Sequence, residues 1–250
     1  MKSSFLFFCI LLQLQFLLAQ AKKDTIQELK IKETKLKDAE GSVQRIDSNL
    51  LRQYQFANLQ QLLEVYSNVF VKNYGVGAMS TFSIRGSSSA QTQVSWHGVV
   101  LNNPATGLSD ISTLPVSLFD QIQIEYSNTS NTNNVGGRIV LGHAKPFAKK
   151  GLSAAMAAGY ESPQNTSLLA RWEATTNKVN NYFAVSGSYA NNAFTFIHPN
   201  GLQVQTLAHA RAKQIHAVNN LDIKWNARNT FSMYAWLTYI DRQIPATTFE

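Results

Sequence analysis

From residue 151 onward, apolar and polar positions alternate almost without interruption. In Gly151 to Glu161, Leu152, Ala154, Met156, Ala158 and Tyr160 share one face, and Ser153, Ala155, Ala157 and Gly159 the other. In Thr166 to Glu173, Leu168, Ala170 and Trp172 oppose Leu169, Arg171 and Glu173. In Asn181 to Ala190, Phe183, Val185 and Tyr189 oppose Tyr182, Ala184, Ser186 and Ser188. The clearest case is Gln214 to Asn226, where Ile215, Ala217, Leu221, Ile223 and Trp225 oppose Gln214, His216, Asn220, Asp222, Lys224 and Asn226. Last, Phe231, Met233, Ala235, Leu237 and Tyr239 oppose Thr230, Ser232, Tyr234 and Thr238. A period of two is the signature of strands, because successive side chains leave opposite faces.

Residues 42–141 read differently, as a mixture of short elements. Ser42 to Ile46 is a short strand, and Asp47 is placed to cap a helix running through Tyr54. Leu59, Leu62, Leu63 and Tyr66 fall at helical spacing and make one apolar face. Short strands are predicted over Val69 to Lys72, Phe82 to Arg85, Gln93 to Trp96, Gln121 to Tyr126 and Arg138 to Leu141. Gly75, Gly77, Gly86, Gly98 and Asn102-Asn103-Pro104 punctuate them.

The five alternating segments, with aromatics near their ends, fit strands that cross an outer membrane. A soluble sandwich or small barrel with its apolar faces inward fits the same alternation, since inside and outside merely exchange. The connections distinguish the two. They run Ser162 to Asn165, Ala174 to Asn180, Asn191 to Lys213 and Ala227 to Asn229. A long connection at one end and a very short one at the other is the asymmetry of outer-membrane barrels.

The N-terminus supports export. Lys2 precedes an apolar run, Phe5 to Leu18, and small residues at Ala19 and Ala21 suit cleavage there. The rival is a membrane anchor, but the run of about 14 residues is short of the roughly 20 that a spanning helix needs. Residues 1–21 are therefore expected to be a signal peptide. Cys9, the one cysteine, lies within it, so the mature chain carries no thiol chemistry. Residues 22–41 form a polar leader with one alternating piece, Ile26 to Thr34, open to reading as a disordered segment or an extended docking strand.

Composition narrows the classes further. Only 15% of residues are charged, against roughly 25% in ordinary soluble domains. The net charge of +7 is dispersed, without a basic stripe interleaved with aromatics, so no nucleic-acid partner is expected. His97, His143, His198, His209 and His216 are scattered, with no metal-ligand spacing, and His198 and His209 share the long connection. No nucleophile motif or nucleotide loop occurs, so neither enzyme activity nor a cofactor is expected.

Several phrases occur together in order. They are Leu59-Gln-Gln-Leu-Leu-Glu-Val-Tyr-Ser-Asn-Val-Phe-Val71, Phe82-Ser-Ile-Arg-Gly86 and Gln93-Val-Ser-Trp-His-Gly-Val-Val-Leu-Asn102. Leu114-Pro115, Ile122-Gln-Ile-Glu-Tyr126 and Val135-Gly-Gly-Arg-Ile-Val140 follow. The series resembles the plug domain of TonB-dependent outer-membrane receptors, in the style of the vitamin B12 and siderophore transporters. The resemblance implies an α+β plug domain followed by antiparallel transmembrane β-barrel strands, here an incomplete barrel. Its domains would be the signal peptide (1–21), a TonB-box-like leader (22–41), the plug (42–145) and the first five barrel strands (151–250).

The same resemblance implies a function. A plug fills a barrel of roughly 22 strands, and a scarce nutrient such as cobalamin or a ferric siderophore binds at its outer face. An energy-coupling TonB-like protein pairs with the leader through backbone hydrogen bonds, with Ile26, Leu29, Ile31, Glu33 and Thr34 as the candidate box. The implied partners are that protein, the small nutrient and outer-membrane lipid, and the implied location is the cell outer membrane. Arg85 is the candidate plug–barrel lock, as a guanidinium pairing with wall carboxylates. Gly86, Gly98, Gly136 and Gly137 are the candidate plug turns, and Tyr74, Phe194 and Phe196 the candidate ligand contacts. No metal site is implied.

Two departures from the family pattern stand out. His97-Gly98 replaces aspartate-glycine in the central turn, and Ser127 to Asn134 replaces a stretch that carries a second arginine. The chain ends at Glu250 in an expected outer loop, with strands too few to close a barrel. A fragment of a longer protein or a truncated product is therefore expected. The alternative function is a secreted or surface β-rich binding or adhesion protein without transport activity.

Overall fold

The computed structural model describes residues 43–126, 136–143, 146–161, 164–197 and 204–245. The expected signal peptide, the leader with its candidate box, the stretch Ser127 to Asn134, and His198 lie outside these residues.

Among the described residues the mixed region is built on a five-stranded sheet. Its strands are β1 (Val43–Arg45), β4 (Gln93–Trp96), β5 (Val99–Val100), β6 (Gln121–Glu125) and β7 (Arg138–Gly142). They lie in the order β1-β6-β7-β4-β5, and only the β4–β7 pair is parallel. Two helices precede β4. In α1 (Ser48–Gln53) the Asp47 carboxylate accepts from the Asn49 backbone N–H at 2.8 Å. In α2 (Leu59–Tyr66) Asn58 and Gln61 cap each other reciprocally, both bonds at 3.0 Å, which satisfies two otherwise orphan donors.

The apolar face of α2 delivers Leu59, Leu62 and Leu63 into a core shared with Phe82, Ile84, Val94, Ile122, Ile124, Ile139 and Leu141. Alternation explains the strand contributions, because Ile122 and Ile124 of β6 point one way while Gln121, Gln123 and Glu125 point the other.

A second small sheet pairs β2 (Phe70–Asn73) with β3 (Ser80–Ser83). This corrects two sequence-based boundaries. The strand expected over Phe82 to Arg85 begins and ends two residues earlier. Arg85 and Gly86 turn away instead, with φ of +53° and +73°, and the Ser87 N–H closes the turn on the Ile84 carbonyl at 3.0 Å. The strand expected over Val69 to Lys72 shifts by one residue to keep register with β3.

The long strands form one antiparallel sheet, here called the wall. They are β8 (Gly151–Glu161), β9 (Asn165–Thr175), β10 (Val179–Ala190), β13 (Ala212–Lys224) and β14 (Thr230–Arg242). Each neighbours the next in that order. Their 11 to 13 residues suffice for tilted strands to cross a bilayer core, which takes about 9–11. The long connection between β10 and β13 contains a small hairpin that periodicity did not reveal, β11 (Thr195–Ile197) with β12 (Val204–Thr206).

Among the described residues the apolar face of the wall is the exposed one. Leu152, Met156, Leu168 and Leu237 are 77, 86, 65 and 74% exposed, while His216, Asn220 and Asp222 on the opposite face are 2, 3 and 4% exposed. The wall turns its polar side toward the mixed region and its apolar side away from it. Near the middle Tyr182, Ala184 and Val218 join the core of the mixed region, so the junction is greasy at its centre and polar around it.

Candidate functional site

The seam between mixed region and wall is where chemistry gathers. At the end of the wall bearing the β10–β13 connection lies a cavity of about 410 Å³. Amides and hydroxyls dominate its lining, among them Asn58, Gln61, Asn73, Ser186, Ser188 and Gln214. Its floor includes the β2–β3 turn, Gly75 to Ala78.

That turn is clamped from the wall. Arg242, the last residue of β14, donates from Nη2 to Asp110 Oδ2 at 2.7 Å, and from Nη1 to the Ala78 carbonyl at 3.4 Å. The second Asp110 oxygen accepts from the Ser80 N–H (3.1 Å), the Ser112 N–H (3.1 Å) and the Ser112 hydroxyl (2.6 Å). One carboxylate thus ties a strand of the mixed region, the turn and the wall together. A charge-assisted bond of this length, sheltered on both sides, is among the stronger polar contacts a protein makes. Gly77 is needed beneath it, since a Cβ there would sit 2.5 Å from the Gln243 carbonyl oxygen at a φ of +70°.

Deeper along the seam the contact is aromatic. The β4–β5 turn puts His97 at φ +47° and Gly98 at +84°, a left-handed pair of the kind tight hairpins use. Histidine is among the few side chains enriched in that conformation, which explains its tolerance where aspartate is usual. The turn stacks His97 on Tyr234 with ring centroids 3.8 Å apart, and Trp96 meets Trp236 edge-on at 5.2 Å. Trp236 points inward, the one large aromatic of β14 that alternation left unassigned.

His143 completes this group. Its Nε2–H donates to the Leu118 carbonyl at 2.7 Å, so Nδ1 is the acceptor for the Asn220 amide at 2.8 Å. His97 Nε2 stands 3.4 Å from the same Nδ1. Burial lowers the pKa of His143 to about 4, against the opposing pull of the Leu118 carbonyl. Burial also lowers His97, with Asp222 pulling the other way. Asp120, approached by Arg171 at 3.5 Å, is raised by burial despite that guanidinium.

The sequence-derived candidates are distributed unevenly over this arrangement. Arg85 is exposed and has no ion pair among the described residues. The ion pairs that do cross the seam carry the opposite polarity to the expected lock, with Asp110 and Asp120 on the mixed region and Arg242 and Arg171 on the wall. A Cβ on Gly136 would lie 2.5 Å from Ser87 Oγ, and one on Gly137 2.6 Å from the Glu125 carbonyl oxygen, so this pair lets two chain segments close. Tyr74 sits beside the outer cavity under the Lys72 ammonium, 4.7 Å from its ring centroid, but does not line it. Phe194 and Phe196 lie at the β11–β12 hairpin and do not line it either. The histidine contact was invisible to spacing rules, because 46 residues separate His97 from His143.

The family model for the TonB-dependent receptor plug domain matches residues 35–137. Residues 35–137, most of the mixed region, are similar to that plug domain. No curated protein matches it.

Solved structures agree on the fold of plug and strands. The copper transporter OprC superposes with a TM-score of 0.65 at 10% identity, over 81% of this chain and 32% of its own. The FrpB iron transporter from Neisseria meningitidis gives 0.56 at 10%, over 74% and 30%. The pyoverdine outer membrane receptor FpvA from Pseudomonas aeruginosa, bound to pyoverdine, gives 0.56 at 13%, over 78% and 27%. The chain therefore spans about a third of the length of these structures. The mixed region thus corresponds to the plug domain of the family model, and among the described residues the wall consists of antiparallel strands that do not close a barrel.

Proposed function

We propose that the chain forms the N-terminal part of an outer-membrane receptor for energised uptake of a scarce nutrient, cobalamin or a ferric siderophore. One observation carries the reading. The wall shows its apolar side outward and packs its polar side on a plug, which suits lipid outside and a filled lumen inside. Residues 1–21 would direct export, 42–145 form the plug and 151–250 begin the barrel. The end with the β10–β13 connection would face outward, making the 410 Å³ cavity the ligand entrance. Its amide and hydroxyl lining favours a ligand rich in neutral hydrogen-bonding groups, which suits cobalamin better than a polyanionic chelate.

The leader, residues 22–41, would pair edge to edge with a TonB-like protein through Ile26 to Thr34. Arg85 would serve as a lock against carboxylates of the wall, alongside the two aspartate–arginine pairs already formed.

Uptake by cells expressing the full-length protein tests this. Leu29→Pro removes a backbone donor from the pairing segment, so uptake of labelled cobalamin or ferric siderophore should fall at least tenfold while surface binding persists. Unaltered uptake in that variant, or in cells without a proton gradient, would refute energised transport.

A further inference from the structure

We propose that the seam between plug and wall binds a hydrated divalent cation, in a chamber of about 200 Å³ beneath the β4–β5 turn. Register builds its outer side. Glu173, Tyr182, Asn220 and Tyr234 stand opposite one another across β9, β10, β13 and β14. The adjacent inward row is Thr175, Asn180, Asp222 and Ser232. The plug closes the chamber with His97, His143 and Asp120.

The enclosure is rich in acceptors and poor in positive charge. Asp222 is 4% exposed and, among the described residues, has no cationic partner. It receives the Ser232 hydroxyl at 2.5 Å and the Tyr234 hydroxyl at 3.4 Å. Glu173 receives the Asn180 amide at 2.8 Å, while Arg171 directs its charge to Asp120. Arg171 and Arg52 both act on Asp120, and among the described residues neither Asp222 nor Glu173 has an ion pair. Two further groups point to a ligand independently of charge. The hydroxyl of Tyr182 and the amide oxygen of Asn220 are buried without a hydrogen-bond partner, in side chains 6 and 3% exposed. Buried carboxylates persist when they are paired or hold cations, and unmet buried oxygens are satisfied by water or ions.

Size and geometry choose the kind of cation. Among the described residues no three His, Cys, Asp or Glu side chains converge to chelate a bare metal. At about 200 Å³ the chamber is many times the roughly 10–15 Å³ that one water needs, enough for an ion with several waters. Small hard divalent ions keep several waters and bind through one or two carboxylates, as this chamber permits.

Mn²⁺ is the probe. In detergent-solubilised full-length protein stripped with chelator, loss of the free-ion electron paramagnetic resonance signal should count one bound Mn²⁺ per chain. Asp222→Asn should weaken binding at least tenfold. Tyr182→Phe, which removes one oxygen and keeps the ring packed, should weaken it about threefold and decides the matter if Asp222→Asn does not fold. Asp110→Asn, at the other end of the seam, should bind like the wild type. Equal binding in the wild type and both chamber variants would overturn the proposal. So would the absence of bound Mn²⁺, or its displacement by K⁺ at matched ionic strength.

Discussion

Plug and wall obey the same alternation but bury opposite faces. In the plug, Ile122, Ile124, Ile139 and Leu141 point into the core, and Gln121, Gln123, Glu125 and Arg138 on the same strands face the other way. In the wall, polar Asn180, His216, Asn220 and Asp222 are buried beside Tyr182, Ala184 and Val218, while Leu152, Met156 and Leu237 stand exposed. A strand period identifies two faces without ranking them. The medium on each side does the ranking, and the plug supplies that medium for the wall's inner face. Among the described residues the polar face of the wall is packed to low exposure at the seam, where the Asp110–Arg242 and Asp120–Arg171 pairs, His97, His143 and both cavities lie.

The comparison breaks most severely through the plug core. Leu63→Ala removes a side chain with no exposure and should cost about 2–5 kcal/mol. Limited proteolysis should cut the plug selectively while the wall keeps its resistance in detergent. Next comes the exposed apolar side of the wall, where Leu237→Arg near the middle of β14 should cost about 2–4 kcal/mol in bilayers. Spin labels at Ile215, Ile223 and Leu237 should be reached by a membrane-dissolved quencher, and a label at Thr238 should be shielded. The reverse result would mean that the wall belongs to a soluble sandwich.

Acid should loosen the seam. His143 has a pKa of about 4 in the folded chain and about 6.5 unfolded, so the unfolded state binds more protons between these values. Its contribution is complete above about pH 6.5 and is lost as pH falls toward 4, by roughly 3 kcal/mol in all. His97 acts with the same sign. Asp120 acts against them just above its ordinary value, because its raised pKa favours the protonated folded form. Thermal unfolding from pH 7.5 to 4 should show the decline, and His143→Gln should flatten it.

The ion pairs sharpen the comparison at lower cost. Arg242→Gln leaves Asp110 without its guanidinium and should release the β2–β3 turn by about 1–3 kcal/mol. Faster hydrogen exchange at the Ser80 amide would report it. Arg171→Gln should matter least, under about 1 kcal/mol, since its 3.5 Å contact with Asp120 is partly open to solvent.

Periodicity and turn residues by themselves determined the five long strands, the α2 face and the order of the plug phrases, because those signals are local. The two faces of each long strand were legible for the same reason. Strand ends were less so, since the Arg85-Gly86 turn, closed by a hydrogen bond that no residue pattern announces, ends β3 two residues early. The β11–β12 hairpin lacked enough residues to show a period. Only the tertiary structure decided which face of the wall is buried, which aspartate meets which arginine, and that His97, His143 and Asn220 touch. Those outcomes depend on pairing between residues tens to more than a hundred positions apart, set by sheet order and register. A chain read residue by residue carries the faces; the packing of one sheet on another decides what each face sees.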